Sequence, residues 1–467
     1  MTADRRTAYA LAKEPPAVKA ALAHWLDGHM REVLRGTLTA APLRAIGTGL
    51  AFGLNVLLAR LLGADDAGLY FLALTIAGVA STIGTLGLGH VLVRHTAANA
   101  ARDDPVSAAA IARLGLRISL VCAVAVAALL LLVGPWAVDA LLDKPELGRP
   151  LQWMALAIVP QTQMQLHSQL LRGLKKIALS QIVRKIDVPL LNMLFLALLA
   201  GAYGLAGAVW SFLLANLITA VAAAWAWRRA IGPRAARQEQ GPADPEAVAA
   251  GDLLRSGAPL LQTNLMNLLL GPLAMLLLGS TAPAAAVAIF AVAFRTARLS
   301  RFALMSVNSI AAPKFAALHS TADVKALATT ARRSALLITL MASPLLFVLL
   351  VFPDRAMGLF GPEFVAGASV LTVLALGQFV AAACGSVGYL LMMSGREKLL
   401  RNQAALAALV GLGLNLLLIP ELGALGAAVA VSSAIALRSL LGSYQVYRHL
   451  GVLPFFISAS AEAPDDS

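Results

Sequence analysis

Apolar residues run along this chain in blocks, each broken from the next by a short polar join. A helix crosses a bilayer with roughly 20 apolar residues at about 1.5 Å each. Twelve blocks fit, near 38–62, 69–93, 114–138, 150–171, 178–200, 204–228, 257–279, 284–308, 333–352, 366–393, 399–419 and 424–447. Only a backbone that closes its own hydrogen bonds can occupy such runs, so each is predicted to be a helix. Pro160, Pro189, Pro272 and Pro344 lie inside blocks and read as kinks. The pattern predicts an all-α polytopic membrane protein with twelve transmembrane helices in two pseudo-symmetric six-helix lobes, 38–231 and 252–449.

Three segments fall outside the blocks. Residues 1–37 carry six basic and four acidic residues and no isolated apolar core, which excludes a signal peptide. Val18, Leu22, Trp25, Leu26, Met30 and Val33 recur at helical spacing there, as expected of an amphipathic helix on the inner leaflet. A solvated tail with chance periodicity is the alternative. Residues 232–251 are rich in Pro and Gly and read as a cytoplasmic linker between the lobes. Residues 450–467 form a cytoplasmic tail.

Composition agrees with the blocks. Of 467 residues, 59% are apolar and 13% charged, too apolar for a soluble domain. The 6% aromatic share excludes an aromatic-girdled β-barrel. Cys122 and Cys384 sit in separate blocks, so neither a disulfide framework nor a Cys-type metal site is expected. No phosphate-binding Gly-Lys loop appears, so neither ATP nor any other cofactor is implied.

The net charge of +13 would suggest nucleic acid in a soluble protein. Here its distribution reads as topology. One set of alternate joins, with both termini, holds 33 of the 37 basic residues; the other holds Arg60, Lys144, Arg149 and Arg355. Acidic residues split 16 to 8, so the faces carry +17 and −4. Both termini are then cytoplasmic.

The two lobes echo each other. Gly173-x-x-Lys176-x-x-x-Ser180-Gln181 pairs with Gly395-x-x-Lys398-x-x-x-Asn402-Gln403 at an offset of 222. Gly204-x-x-Gly207-Ala208 pairs with Gly423-x-x-Gly426-Ala427 at an offset of 219, and Arg229 with Arg448. A parallel repeat about an axis along the membrane normal places a cavity between the lobes.

Charge inside a membrane generally faces a cavity or a partner. Arg295, Arg298 and Arg301 share a broad face of the eighth block, with Arg295 near mid-membrane. Arg44 opens the first block. Asp187 is the one clear acidic residue within a block, and Arg184 and Lys185 stand close enough in sequence to neutralise it. Many guanidinium groups and few carboxylates suit an anionic cargo such as a phosphate. Snorkelling to inner headgroups is the alternative for Arg301. Interfacial anchoring is the favoured reading of Arg113, Arg117, Arg184 and Lys185. Gln161, Gln165, Ser168, Gln169 and Arg172 stripe the fourth block, and Asn264 and Asn267 lie on the seventh. Such amides suit sugar hydroxyls, and serve equally as glue between helices.

The run Gly395-Arg-Glu-Lys398, followed by Asn415-Leu-Leu-Leu-Ile-Pro420-Glu-Leu-Gly423-Ala-Leu-Gly426-Ala-Ala, resembles the last two helices of polysaccharide flippases. These are the O-antigen and exopolysaccharide transporters of the multidrug/oligosaccharidyl-lipid/polysaccharide exporter superfamily. Leu58-Ala-Arg60-Leu-Leu-Gly63-Ala-Asp-Asp-Ala-Gly68-Leu-Tyr70 resembles their first hairpin, and Asn308-Ser-Ile-Ala-Ala-Pro313-Lys-Phe-Ala-Ala-Leu318 the end of their eighth helix. The matches run from about residue 44 to 448. The resemblance implies alternating access and a lipid-diphosphate-linked oligosaccharide moved across the bacterial inner membrane for surface polysaccharide such as lipopolysaccharide O-antigen. Arg295 and Arg298 are then expected at the diphosphate or acidic sugars, with Arg44 at the cytoplasmic mouth. Arg301, Gln161, Gln165, Asn264 and Asn267 are further substrate-binding candidates, and Asp187 an ion-coupling one. Polysaccharide polymerase and glycosyltransferases are the expected partners, with membrane lipid and no nucleic acid.

Alternatives stay open. The drug-exporter branch of the same superfamily moves cations and needs lumenal carboxylates, which the blocks lack. A membrane glycosyltransferase would need an outer carboxylate site; Asp65 and Asp66 lie in a loop of only a few residues, better read as a helix-to-helix turn. A membrane acyltransferase would rest on His167, which has no carboxylate near it in sequence. The sequence is therefore read as a carrier and not an enzyme.

Overall fold

The apolar runs become long helices, and glycines with left-handed backbone set where those helices bend. A computed structural model describes residues 28–238, 250–268, 271–320 and 323–452. These are helical, with no strand among the described residues. The N-terminal amphipathic segment up to residue 27, the linker core at 239–249 and the tail from 453 lie outside them. Residues 28–37 and 232–238 are helical and prolong neighbouring helices.

In order, the helices are α1 (Gly28–Gly84), α2 (Leu88–Ala101), α3 (Pro105–Leu142), α4 (Gly148–Gly173) and α5 (Ile177–Gln181). A π-helical turn, Ile182–Asp187, leads into α6 (Val188–Gln238). The second half holds α7 (Ala250–Leu268), α8 (Pro272–Thr281), α9 (Ala284–Ala297), α10 (Arg301–Ser320), α11 (Val324–Val351), α12 (Pro353–Gly358), α13 (Ala368–Cys384), α14 (Val387–Met393) and α15 (Glu397–Leu450).

Six helices among the described residues are long and apolar enough to cross a membrane. Helix α1 bends at Gly63, α6 at Gly204 and α15 at Gly423, so each of these has two legs. The twelve blocks of the sequence are reached only when each leg and each interrupted helix counts as a crossing. The outer surface is apolar, with Leu132 81% exposed and Val121, Trp136 and Leu198 also open. Such a continuous apolar face belongs in lipid, and the protein is a multi-span membrane protein.

The repeat is written in the backbone. Gly204 has φ 52° and ψ −129°; Gly423 has φ 54° and ψ −127°. Residues with a Cβ strongly disfavour that region, which is why both bends fall on glycine. At the turn before them, however, the register differs from the sequence motif. Lys175 and Gly395 are the positive-φ residues. Lys176 N–H donates to Leu171 O at 3.0 Å, and Arg396 N–H to Leu391 O at 2.9 Å. The structural offset there is thus 220 and not 222. The π turn at 182–187 supplies one extra residue in the first half, which converts 220 into the 219 seen at the glycines.

Within the first half α4 packs on α3 and α6; within the second, α13 packs on α11 and α15. The halves meet where α9 lies along α1 and α2 along α7. One core crosses this seam, joining Leu58, Tyr70 and Phe71 to Phe290, Phe360 and Phe364. The seam is also bridged by polar contacts near the joins that hold few basic residues. Arg60 Nε donates to Leu359 O (2.7 Å), Ala64 N–H to Glu363 Oε2 (2.7 Å), and Lys144 Nζ to Ala282 O (2.9 Å). Phe52 sets its ring edge-on to Phe360 at 5.6 Å.

Candidate substrate-binding site

Three interruptions in the second half open a cavity. The chain is in a turn at Gly271 before α8, tightens to a 3₁₀ turn at Arg298–Ser300, and breaks between α13 and α14 at Gly385. These breaks, with α15, enclose about 450 Å³. Broken helices are tolerated at membrane depth where they line a cavity.

The cavity is basic. Arg298, Arg301 and Arg438 line it, with Asn308, Gln378, Ser386, Tyr389, Gln403 and Ser439 between them. Arg438 lies close enough to Arg301 for their charges to interact, and Arg298 close enough to Arg301 and Arg295. First-half cations extend the field. Lys185 is within electrostatic reach of Arg184, Arg298 and Arg44, and Arg172 of Arg44. Among the described residues, none of Arg172, Arg184, Lys185, Arg298, Arg301 and Arg438 has a carboxylate among its charged neighbours. Cations gathered beside one another without anions repel, and a bound anion relieves that repulsion.

The predicted residues separate into two groups. Arg298 and Arg301 reach the cavity, and Arg44 reaches its electrostatic field from α1. Arg295 does not line the cavity. Its Nη1 donates to Asn55 Oδ1 at 2.8 Å, and its guanidinium stacks 4.4 Å from the centre of the Phe71 ring. It sits in the seam between halves, apart from lipid. Gln165 is turned to Ser81 Oγ (3.3 Å) in the first half. Gln161 is half-buried on the same helix, and its Oε1 has no partner. Asn264 is half-buried on α7; the side chain of Asn267 lies outside the described residues.

Asp187 closes the π turn and has neither Arg184 nor Lys185 among its charged neighbours; both basic side chains are exposed while Asp187 is half-buried. The neutralising pair suggested by their spacing is therefore not made. His167 places Nδ1 2.8 Å from Gln163 O, an ordinary buried partner. Asp65 and Asp66 follow directly on the Gly63 bend, as a helix-to-helix turn requires.

Sequence reasoning missed Arg438, although the rule that singled out the eighth block applies equally to an arginine inside the twelfth. It also missed Asn308, Gln378 and Gln403, whose importance depends on which helices break. No group of three or more His, Cys, Asp or Glu side chains able to hold a metal occurs among the described residues.

Residues 33–319 match the family described as Polysaccharide biosynthesis protein. No curated protein sequence matches the chain. Among solved structures, an inward-facing multidrug resistance MATE family transporter of the MOP superfamily superposes with a TM-score of 0.69 at 16% identity, over 90% of this chain and 100% of the other. The lipid II flippase MurJ in an inward closed conformation gives 0.69 at 12% identity, over 88% and 87%. A MOP superfamily transporter from Pyrococcus furiosus, described by the reverse polarity of its binding pocket, gives 0.61 at 16%, over 90% and 96%. At these identities the likeness establishes a shared fold.

Proposed function

Because the chain belongs to the polysaccharide biosynthesis protein family, we propose that it carries a polyprenyl-diphosphate-linked oligosaccharide across the bacterial inner membrane for surface polysaccharide assembly. The observation that carries this reading is the basic cavity around Arg298, Arg301 and Arg438, whose lining among the described residues includes no carboxylate. A diphosphate offers the anionic oxygens that these guanidinium groups lack. The family description supports the glycan, and the apolar exterior supports a cargo with a lipid tail.

In this reading the chain makes twelve crossings in two lobes, 38–231 and 252–449, with both termini cytoplasmic. The lobes rock about the seam, exposing the cavity to one side and then the other. The contacts Arg60–Leu359 and Ala64–Glu363 hold the outer side shut while cargo enters from within. Arg44, Arg172, Arg184 and Lys185 attract the headgroup; glycosyltransferases supply it and a polymerase receives it. The chain acts as a carrier without catalysis or cofactor. The drug-exporter reading is disfavoured because a cationic cargo would meet repulsion throughout the cavity.

Arg298→Gln and Arg301→Gln together are expected to abolish surface-polymer export while membrane abundance is unchanged. Export at the normal level from that variant would overturn the reading.

A further inference from the structure

The residues that line the basic cavity all belong to the second half, and at Arg438 the repeat gives the first half no matching cation. The offset of 219 that relates Gly423 to Gly204 places Thr219 opposite Arg438. Thr219 is fully buried and spends its hydroxyl on Ala215 O at 2.7 Å. At this place in the repeat one half carries a cavity-lining cation and the other a packed hydroxyl.

Two amides in the cavity wall are unsatisfied. Asn308 is 2% exposed; its Oδ1 accepts from Ser386 Oγ, but its Nδ2 has no partner. Gln403 is 3% exposed, and its Oε1 has no partner. Buried polar atoms are ordinarily paired, and leaving one unpaired costs free energy. A donor and an acceptor waiting beside three arginines call for a ligand with phosphate oxygens and hydroxyl groups next to one another. The volume of about 450 Å³ lies within the usual range for small-molecule pockets.

We propose that the second half alone holds a glycosyl-phosphate site: Arg298, Arg301 and Arg438 take the phosphate oxygens, and Asn308 and Gln403 take hydroxyls of the sugar attached to it. This rests on the carrier reading above and deepens it. The cargo headgroup is then held on one side of the seam throughout the cycle, and the first half moves past it as a gate.

The test uses full-length purified protein in detergent and titrates it with inorganic phosphate, with a set of hexose and N-acetylhexosamine 1-phosphates, and with an uncharged methyl glycoside. At least one glycosyl phosphate is expected to bind more tightly than phosphate, and the methyl glycoside to bind least. Arg438→Gln should weaken both anions about tenfold or more, the loss of a charge-assisted hydrogen bond. Arg438→Lys should keep part of that affinity, which separates loss of charge from misfolding. Asn308→Leu and Gln403→Leu should leave phosphate within about twofold and remove the advantage of the sugar. Thr219→Ala should change neither. The proposal is overturned if no glycosyl phosphate outbinds phosphate, or if Arg438→Gln leaves both affinities intact. Transport in vesicles separates the two ideas: site binding without glycan movement overturns the carrier reading alone, and movement that is indifferent to Arg438→Gln overturns the site alone.

Discussion

Arg295 donates to Asn55 across 2.8 Å, tying together residues 240 apart in sequence and on opposite halves of the molecule. The same guanidinium lies over the Phe71 ring. A cation held in the seam by a hydrogen bond on one side and a ring face on the other is a strut between halves. Hydrogen bonds to charged groups are worth about 1.5–3 kcal/mol, and a cation–π contact about 0.5–2 kcal/mol.

Arg295→Gln and Asn55→Ala should each lower the melting temperature of the purified protein. Combined, they should cost less than the sum, with a coupling of about 1–3 kcal/mol in a double-mutant cycle. Additive losses would show that the two side chains do not support each other. Anion affinity of the cavity should hardly change in Arg295→Gln, since Arg295 does not line it.

The outer bridges should govern access from outside. In a Phe52→Cys background, a membrane-impermeant thiol reagent added to the outer face should label the new cysteine slowly, because Phe52 packs against Phe360 beneath the Arg60–Leu359 and Ala64–Glu363 contacts. Adding Glu363→Ala should speed labelling several-fold by releasing the Ala64 N–H. Equal labelling rates would mean that these contacts do not hold the face closed.

Much of the fold was legible in the alternation of apolar blocks and basic joins, because bilayer thickness and backbone hydrogen bonding leave few alternatives. The repeat was legible at Gly204 and Gly423, where a positive φ demands glycine in both halves. It was misregistered at Gly173 and Gly395, where Lys175 and not Gly173 takes the positive φ that Gly395 takes, so the matching letters stand two residues out of structural register. Arg298 and Arg301 stood out as charges within an apolar run. That they meet Arg438 in one half was not legible, since it depends on helix breaks at 271, 298 and 385 and on how four helices then pack. The amides show the same limit: Gln165 and Gln403 look alike in sequence, yet one is satisfied by Ser81 and the other faces the cavity unpaired.

The matched glycines offer a direct check of the repeat. A Cβ on Gly207 would lie 2.3 Å from Leu199 O, and one on Gly426 2.2 Å from Leu418 O. Gly207→Ala and Gly426→Ala should therefore destabilise the protein to a similar degree, each by more than the roughly 0.5 kcal/mol of an ordinary surface change. Gly204→Ala and Gly423→Ala should each cost about 1–2 kcal/mol, from left-handed strain. Melting temperatures of the four variants provide the comparison; a marked difference within either pair would argue against equivalent bends.

The basic cavity is best tested by transport itself, with purified protein in liposomes loaded on one leaflet with a fluorescent polyprenyl-diphosphate glycan. Movement to the other leaflet should be rapid with the native chain and fall to the protein-free rate with Arg298→Gln and Arg301→Gln combined. Failure of the native chain to move that lipid, while it moves an organic cation instead, would contradict an anion-selective carrier.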